Sequence, residues 1–127
     1  MKTKISSVMS IILNTSGSVL ILQDRRKRWT LAGGQIDKGE SQTKALLREV
    51  KEETGLKIKL LKKLWTSTKR YGKKHKKRAK IFLSLISKKA SHKLKLSFEH
   101  LKAKWVKPKA AFKKLISRHA KALKNLI

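Results

Sequence analysis

Residues 34–56 read GQIDKGESQTKALLREVKEETGL, and this segment dictates a helix together with both of its ends. Glu40 and Ser41 stand at its entry. Gly55 is a stop after Thr54. The spacing predicts a helix over 41–54. At about 100° per residue, Leu46, Leu47 and Val50 cover one side, and Glu49, Glu52 and Glu53 lie within about 100° of arc on another. The expectation is one face for a core and a separate face of three carboxylates. Just upstream, the Gly33-Gly34 pair permits positive φ or close backbone approach.

The carboxylates matter because acid is scarce elsewhere. The 127-residue chain has 35 Lys and Arg against 7 Asp and Glu, a formal net charge of +28. Asp37, Glu40, Glu49, Glu52 and Glu53 fall inside 34–56, leaving Asp24 and Glu99 as the only acids outside it. Three carboxylates on one helix face repel each other unless something pairs with them. Two resolutions are open from spacing alone. Arg48 and nearby lysines neutralise a solvated ion-pair face, or the face binds Mg²⁺, a hard cation that takes oxygen ligands. The basic remainder suits polyanionic partners: nucleotides, RNA or another nucleic acid, or an anionic membrane surface. A lysine-biased composition that only keeps the chain soluble explains the same distribution, since the lysines are spread along the chain.

The rest of the pattern is that of an α/β protein, and the length suits one domain over residues 1–127. Residues 4–13 read as a buried strand, 14–17 as a turn and 19–23 as a second strand, together a hairpin. DRRKR at 24–28 is a basic loop. Residues 56–68 read as a strand with Leu60, Leu61, Leu64 and Trp65 facing the core. KRYGKKHKKR at 69–78 reads as a basic connecting loop, 79–87 as another strand, and 88–97 as linker or edge strand. Trp105-Val106 ends a short strand before Pro108. From Lys109 a single helix is expected, with Phe112, Leu115, Ile116, His119, Leu123, Leu126 and Ile127 at near-helical spacing. Cysteine is absent, which excludes disulfides and thiolate metal sites. No stretch reaches the ~18 apolar residues of a membrane span, and a cytoplasmic location is expected.

Residues 34–56 also resemble the Nudix box, G-x5-E-x7-R-E-U-x-E-E-x-G-U with U a bulky aliphatic. Gly34, Glu40, Arg48, Glu49, Val50, Glu52, Glu53, Gly55 and Leu56 fill all nine fixed positions at the family spacing. One departure is Ala32, where many members carry proline. The resemblance implies a Nudix fold, a mixed β-sheet sandwiched between helices. It implies hydrolysis of a P–O–P linkage in a nucleoside diphosphate joined to another group, with Mg²⁺ or Mn²⁺ as cofactor. By position, Glu49, Glu52 and Glu53 resemble the metal carboxylates, and the Gly34 carbonyl often joins them. Arg48 resembles the residue that pairs with a box glutamate and orients it, and Glu40 a helix-entry residue. Either Glu52 or Glu53 is suited to take the proton of the attacking water.

Outside the box, Glu99 lies in SFEHLKAKWV, similar to the E-H-x4-W-V stretch of MutT-type and dinucleoside-polyphosphate-type members. It is read either as a base or metal-linked residue, or as a surface acid. His100 is read as structural or at the substrate's edge, His75 and His92 as solvated, and His119 as a surface or interface residue. Arg25, Arg26 and Arg28 form a solvated loop or grip a phosphate; of these Arg25 and Arg28 are the substrate-binding candidates, with Tyr71 as the most suitable stacking aromatic. Core packing suits Trp29, Phe82 and Trp105. The favoured substrate is a nucleoside triphosphate. The rivals are a dinucleoside polyphosphate, a nucleotide sugar or ADP-ribose, 5′-triphosphorylated RNA, and a mainly nucleic-acid-binding protein on the same scaffold.

Overall fold

The computed structural model describes residues 4–126; Ile127, the last member of the expected helical repeat, lies outside them. Three strands form the middle of a mixed sheet because they are apolar on both sides. They are β1 (Ile5–Leu13), β2 (Val19–Asp24) and β6 (His75–Leu85). Strands covered on both faces read as near-continuous hydrophobic runs, as IIL and VLIL do here. β1 runs parallel to β6, in continuous register from Ser7 opposite Ala79 to Leu13 opposite Leu85. On its other edge it pairs antiparallel with β4 (Ala32–Gln35), then meets β2 only where Leu13 faces Val19. The expected hairpin is therefore a corner. β2 turns away to pair with β7 (His100–Val106) on one side and with the two-residue β3 (Trp29–Thr30) on the other. β5 (Lys59–Tyr71) closes the far edge against β6.

Each face of the sheet has its own core. Val8, Ile12, Leu20, Leu22 and Phe82 pack under α1 (Gln42–Thr54), meeting its Ala45, Leu46 and Val50. Ile11, Val19, Ile21, Ile81 and Leu83 pack on the opposite side against Ala111, Leu115, Ala120 and Leu123. Each such fully buried aliphatic side chain contributes about 1.5–3 kcal/mol. The expected α/β architecture with helices on both faces is present. Trp29 and Trp105 sit half-buried against these cores, and Phe82 is buried within one.

α1 starts one residue later than expected. The Ser41 side chain caps it, accepting from Lys44 N at 3.2 Å, and Gly55 ends it at φ 70°. The two separate faces are not what forms. Leu47 is 42% exposed, and Ala45 takes its place in the core. In projection Glu53 falls between Ala45 and Leu46, inside the buried stripe rather than apart from it.

Elsewhere four expectations are corrected. Leu61 and Trp65 are 53% and 41% exposed, because β5 carries register irregularities between Leu60 and Lys62 and between Lys63 and Trp65. An extra residue at a bulge flips the side chains that follow it. The basic run 69–78 is mostly ladder, with Lys69 opposite Lys77 and only 72–74 between the strands. Residues 88–91 form a short helix, α2 (Lys88–Ser91), rather than an edge strand. The C-terminal helix is broken into α3 (Pro108–Lys114), α4 (Ser117–Ala120) and a 3₁₀ segment (Lys121–Leu126). The break falls where Leu115 and Ile116 turn extended: Leu115 bridges to Trp29, and Ile116 N donates to Trp29 O at 3.0 Å.

Candidate active site

The last carbonyls of a helix lack partners within it. Those of α1 find them in the segment that follows α2: Lys95 N donates to Thr54 O at 2.8 Å and Ser97 N to Glu53 O at 2.9 Å. This pairing leads Glu99 and His100 directly past the end of the carboxylate helix. Arg25 holds the same segment from the other side, donating through Nε (2.8 Å) and Nη2 to Phe98 O.

Glu53 is the most constrained acid. It is 7% exposed, its Oε1 accepts from Gly33 N at 2.7 Å, and its Oε2 lies 3.2 Å from His100 Nε2. Burial pushes its carboxyl up to about 8, Glu49, Glu99 and Glu52 push the same way, and the Gly33 amide opposes them. His100 is lowered by burial, while Glu99 and Asp24 pull it upward. Oε2 and Nε2 are therefore placed to share a proton. His100 Nδ1 is buried without a hydrogen-bond partner. Gly33 has φ 153°, and a Cβ there would run into Val8 O and Met9 Cα, so only glycine aims this amide at Glu53.

Arg48 organises the remaining acids. Its Nε and Nη2 each bond a Glu40 oxygen at 2.8 Å, and Nη2 also reaches Gln35 O at 3.1 Å and Asp37 at 3.3 Å. Nη1 bonds Glu49 Oε1 at 2.8 Å and lies 3.3 Å from Glu52. Arg48 and the Asp37 amide hold the Glu40 carboxyl down to about 2. Glu49 lies against Gly34 so closely that a Cβ on Gly34 would strike its carboxylate.

In this arrangement, among the described residues, no three His, Cys, Asp or Glu side chains converge as a metal-binding group. Glu49 and Glu52 are turned onto Arg48 instead. The donor set nevertheless fits a hard divalent cation. Its groups are carboxylates, whose negative charge raises the proton affinity of Glu53, and the hollow at Gly34 is kept open by the missing Cβ. Arg48 keeps Glu40, Gln35 O and Asp37 if it releases Glu49 and Glu52, so the exchange leaves the guanidinium paired.

A cleft of about 260 Å³ collects Asp24, Arg28, Gly33, Glu53, Glu99, His100 and Arg118. An adjoining groove of about 220 Å³ runs from Gly34 and Gln35 to Ser67, Lys69, Tyr71 and Lys77, sharing Met9, Arg118 and His119 with the cleft. The structure thus brings Glu53, Glu99 and Arg28 together and puts Tyr71 in the neighbouring groove. The Arg28 guanidinium is paired with Asp24 at 3.0 Å. His119 is not a surface residue. It is buried, its Nδ1 accepts from Leu31 N at 3.0 Å, and burial lowers it to about 4. Sequence reasoning missed Asp24, Arg118 and the Gly33 amide as site residues. Only the last had a signal, the paired glycine.

The NUDIX domain model matches residues 3–126, and the chain belongs to the Nudix family. Residues of this chain are 40% identical to the Nudix hydrolase YvcI of Bacillus subtilis over 57 residues, 44% of this chain and 36% of YvcI. They are 36% identical to the CTP pyrophosphohydrolase of Escherichia coli over 58 residues, 42% of this chain and 43% of that protein. The matched stretch therefore spans less than half the length of either relative. A C. elegans Ap4A hydrolase structure superposes with a TM-score of 0.83 at 23% identity, over 97% of this chain and 95% of that one, a likeness of fold.

Proposed function

We propose that this chain is a single-domain, divalent-metal-dependent hydrolase that cuts the P–O–P linkage of a nucleoside triphosphate or a related nucleoside diphosphate-linked compound. The observation that carries the reading is Glu53: a buried carboxyl, loaded with its neighbours' negative charge, at the floor of a cleft. Glu49, Glu52, Glu53 and the Gly34 carbonyl are the residues to hold Mg²⁺ or Mn²⁺. Bound there, the ion screens phosphate charge and acidifies water. Arg48 stays anchored on Glu40 when Glu49 turns to the ion, a supporting contact beside the ligands of the kind that sets their geometry.

In the reaction a water oxygen bonds to phosphorus, the bridging oxygen departs, and the water's proton passes to a carboxylate. Both Glu53 oxygens are engaged, by Gly33 N and His100, and Glu52 is held by Arg48 Nη1 at 3.3 Å, which leaves Glu99 as the acid of the cleft with no hydrogen bond or ion pair among the described residues. Glu99 has the better position, exposed on the same cleft as Glu53. A proton acceptor is worth about 10²–10⁴ in rate. The test is a release assay on nucleoside triphosphates, CTP first because of the E. coli relative, then dinucleoside polyphosphates and ADP-ribose, with Mg²⁺, Mn²⁺ or EDTA. Turnover that survives EDTA, or that survives Glu53→Gln, overturns the reading. Glu99→Gln with full turnover moves the proton to Glu52.

A further inference from the structure

The break in the C-terminal helix at Leu115 and Ile116 sets the position of one side chain, Arg118. The residues on either side of it are bonded to the segment that enters the site. Ile116 N donates to Trp29 O at 3.0 Å, and His119 Nδ1 accepts from Leu31 N at 3.0 Å. Two residues further along that segment, the Gly33 amide holds Glu53. One short stretch, 29–33, thus fixes both the buried carboxyl and the turn that carries Arg118. Arg118 lines both the cleft and the groove, at their junction. The other cations of the two cavities have partners. Arg28 is paired with Asp24, His100 lies against Glu53, and Lys69 and Lys77 lie over the Tyr71 ring at 4.9 and 5.6 Å. Arg118 makes no hydrogen bond or ion pair among the described residues, although it shares the cleft with Asp24, Glu53 and Glu99. Its guanidinium donors are therefore open to a ligand.

We infer that Arg118 grips the substrate's phosphate chain where the cleft meets the groove, the role that the sequence pattern gives to Arg25 and Arg28. Such a grip rests on the phosphoanhydride reading above and adds to it the residue that holds the chain. Arg25 is turned onto Phe98 O and Arg28 is neutralised by Asp24, so neither is left to offset phosphate charge. The planar fork of Arg118 can bond two non-bridging phosphate oxygens at once, which fixes orientation as well as position. It donates hydrogen bonds and moves no proton. Non-bridging oxygens are charged before and during bond cleavage alike, so the grip strengthens binding of the ground and transition states together. Removing such an interaction raises KM and leaves kcat nearly unchanged.

The experiment measures KM and kcat with Mg²⁺ on the nucleoside triphosphate that the full chain turns over fastest, for the parent, Arg118→Ala, Arg118→Lys and Arg70→Ala. Arg70 lines neither cavity, so its variant removes the same charge elsewhere. Arg118→Ala should raise KM at least fivefold with kcat within threefold of the parent. Arg118→Lys keeps the charge without the fork and should fall between parent and alanine variant, and Arg70→Ala should stay within twofold. A KM rise below fivefold in Arg118→Ala, a loss confined to kcat, or an equal rise in Arg70→Ala overturns the grip while turnover keeps the hydrolase reading. A parent-like KM in Arg118→Lys overturns the two-point contact. Thermal melts of the Arg118 variants should match the parent's, and a lowered Tm would mean a structural role and overturn the grip. If nothing is hydrolysed, calorimetric binding of inorganic tripolyphosphate in EDTA still decides, at about 0.2 M salt to screen loose surface attraction. Binding weakened at least fivefold by Arg118→Ala and not by Arg70→Ala keeps the grip and removes the hydrolase reading. Binding weakened less, or equally by both variants, overturns the grip.

Discussion

Replacing Glu53 by Gln should make the metal-free protein more stable while abolishing its turnover. In the fold the carboxyl titrates near 8 against an ordinary 4.5, chiefly because it is buried. A group whose folded value is raised contributes stability below its unfolded value, and loses it as pH climbs toward the folded one. At pH 7 the unfolded chain gains from ionising Glu53 and the folded chain does not. About 2.5 units at 1.36 kcal/mol each is a cost of about 3 kcal/mol. Glutamine is isosteric with the protonated acid, its Oε1 can accept from Gly33 N, and it never ionises. Urea melts in EDTA should therefore show variant and parent close together near pH 4.5 and the variant ahead by about 3 kcal/mol at pH 7. In a thermal melt this corresponds to roughly 10 °C. Saturating Mg²⁺ should close the gap, because binding stabilises only the parent's folded state. A gap that stays flat between pH 5 and pH 8 in EDTA refutes the reasoning.

Three further outcomes follow from named contacts. His119, lowered to about 4 by burial, contributes stability above its usual 6.5 that is lost as pH falls through 4. The parent should lose up to about 3 kcal/mol over that window by urea melts, and His119→Gln should have a flatter profile. Gly33→Ala drives a Cβ into Val8 O and Met9 Cα and should cost more than about 4 kcal/mol by thermal melt, whereas Gly34→Ala meets only the movable Glu49 carboxylate and should fold, weakening Mn²⁺ binding at least tenfold by titration. Arg48→Lys removes the two-point grip on Glu40 and should lower metal affinity or kcat by about 10–100-fold while the circular dichroism spectrum stays native.

The parts of the fold that were legible are those whose determinants lie close together in the chain. α1 is one, since Ser41 and Gly55 terminate it within its own segment. β1, β2 and β6 are others, since burial on both faces leaves unbroken apolar runs. The parts that were not legible depend on partners far away. Phe112, Leu115 and Ile116 keep helical spacing, yet Leu115 and Ile116 are drawn out of the helix by Trp29, more than eighty residues earlier. The exposure of Leu61 and Trp65 follows from β5's bulged register with β6, which no pattern within β5 announces.

Glu53 shows why the site was only half legible. A wheel drawn on α1 alone separates acids from aliphatics, because it assumes that a carboxylate seeks water. Glu53 instead occupies the buried stripe, which is tolerable only if its oxygens are satisfied there. Both satisfying groups come from outside the helix: the Gly33 amide from β4 and His100 from the start of β7. The same burial that makes the residue expensive keeps its proton affinity high, and a cation in the cleft would relieve both at once. The acids are few in this chain, and the fold places the most buried of them at the base of a cleft that leads to its most basic strands. That polarity sets acid at the cleft floor and base along the groove. Helical spacing within residues 34–56 contains only the first half of it.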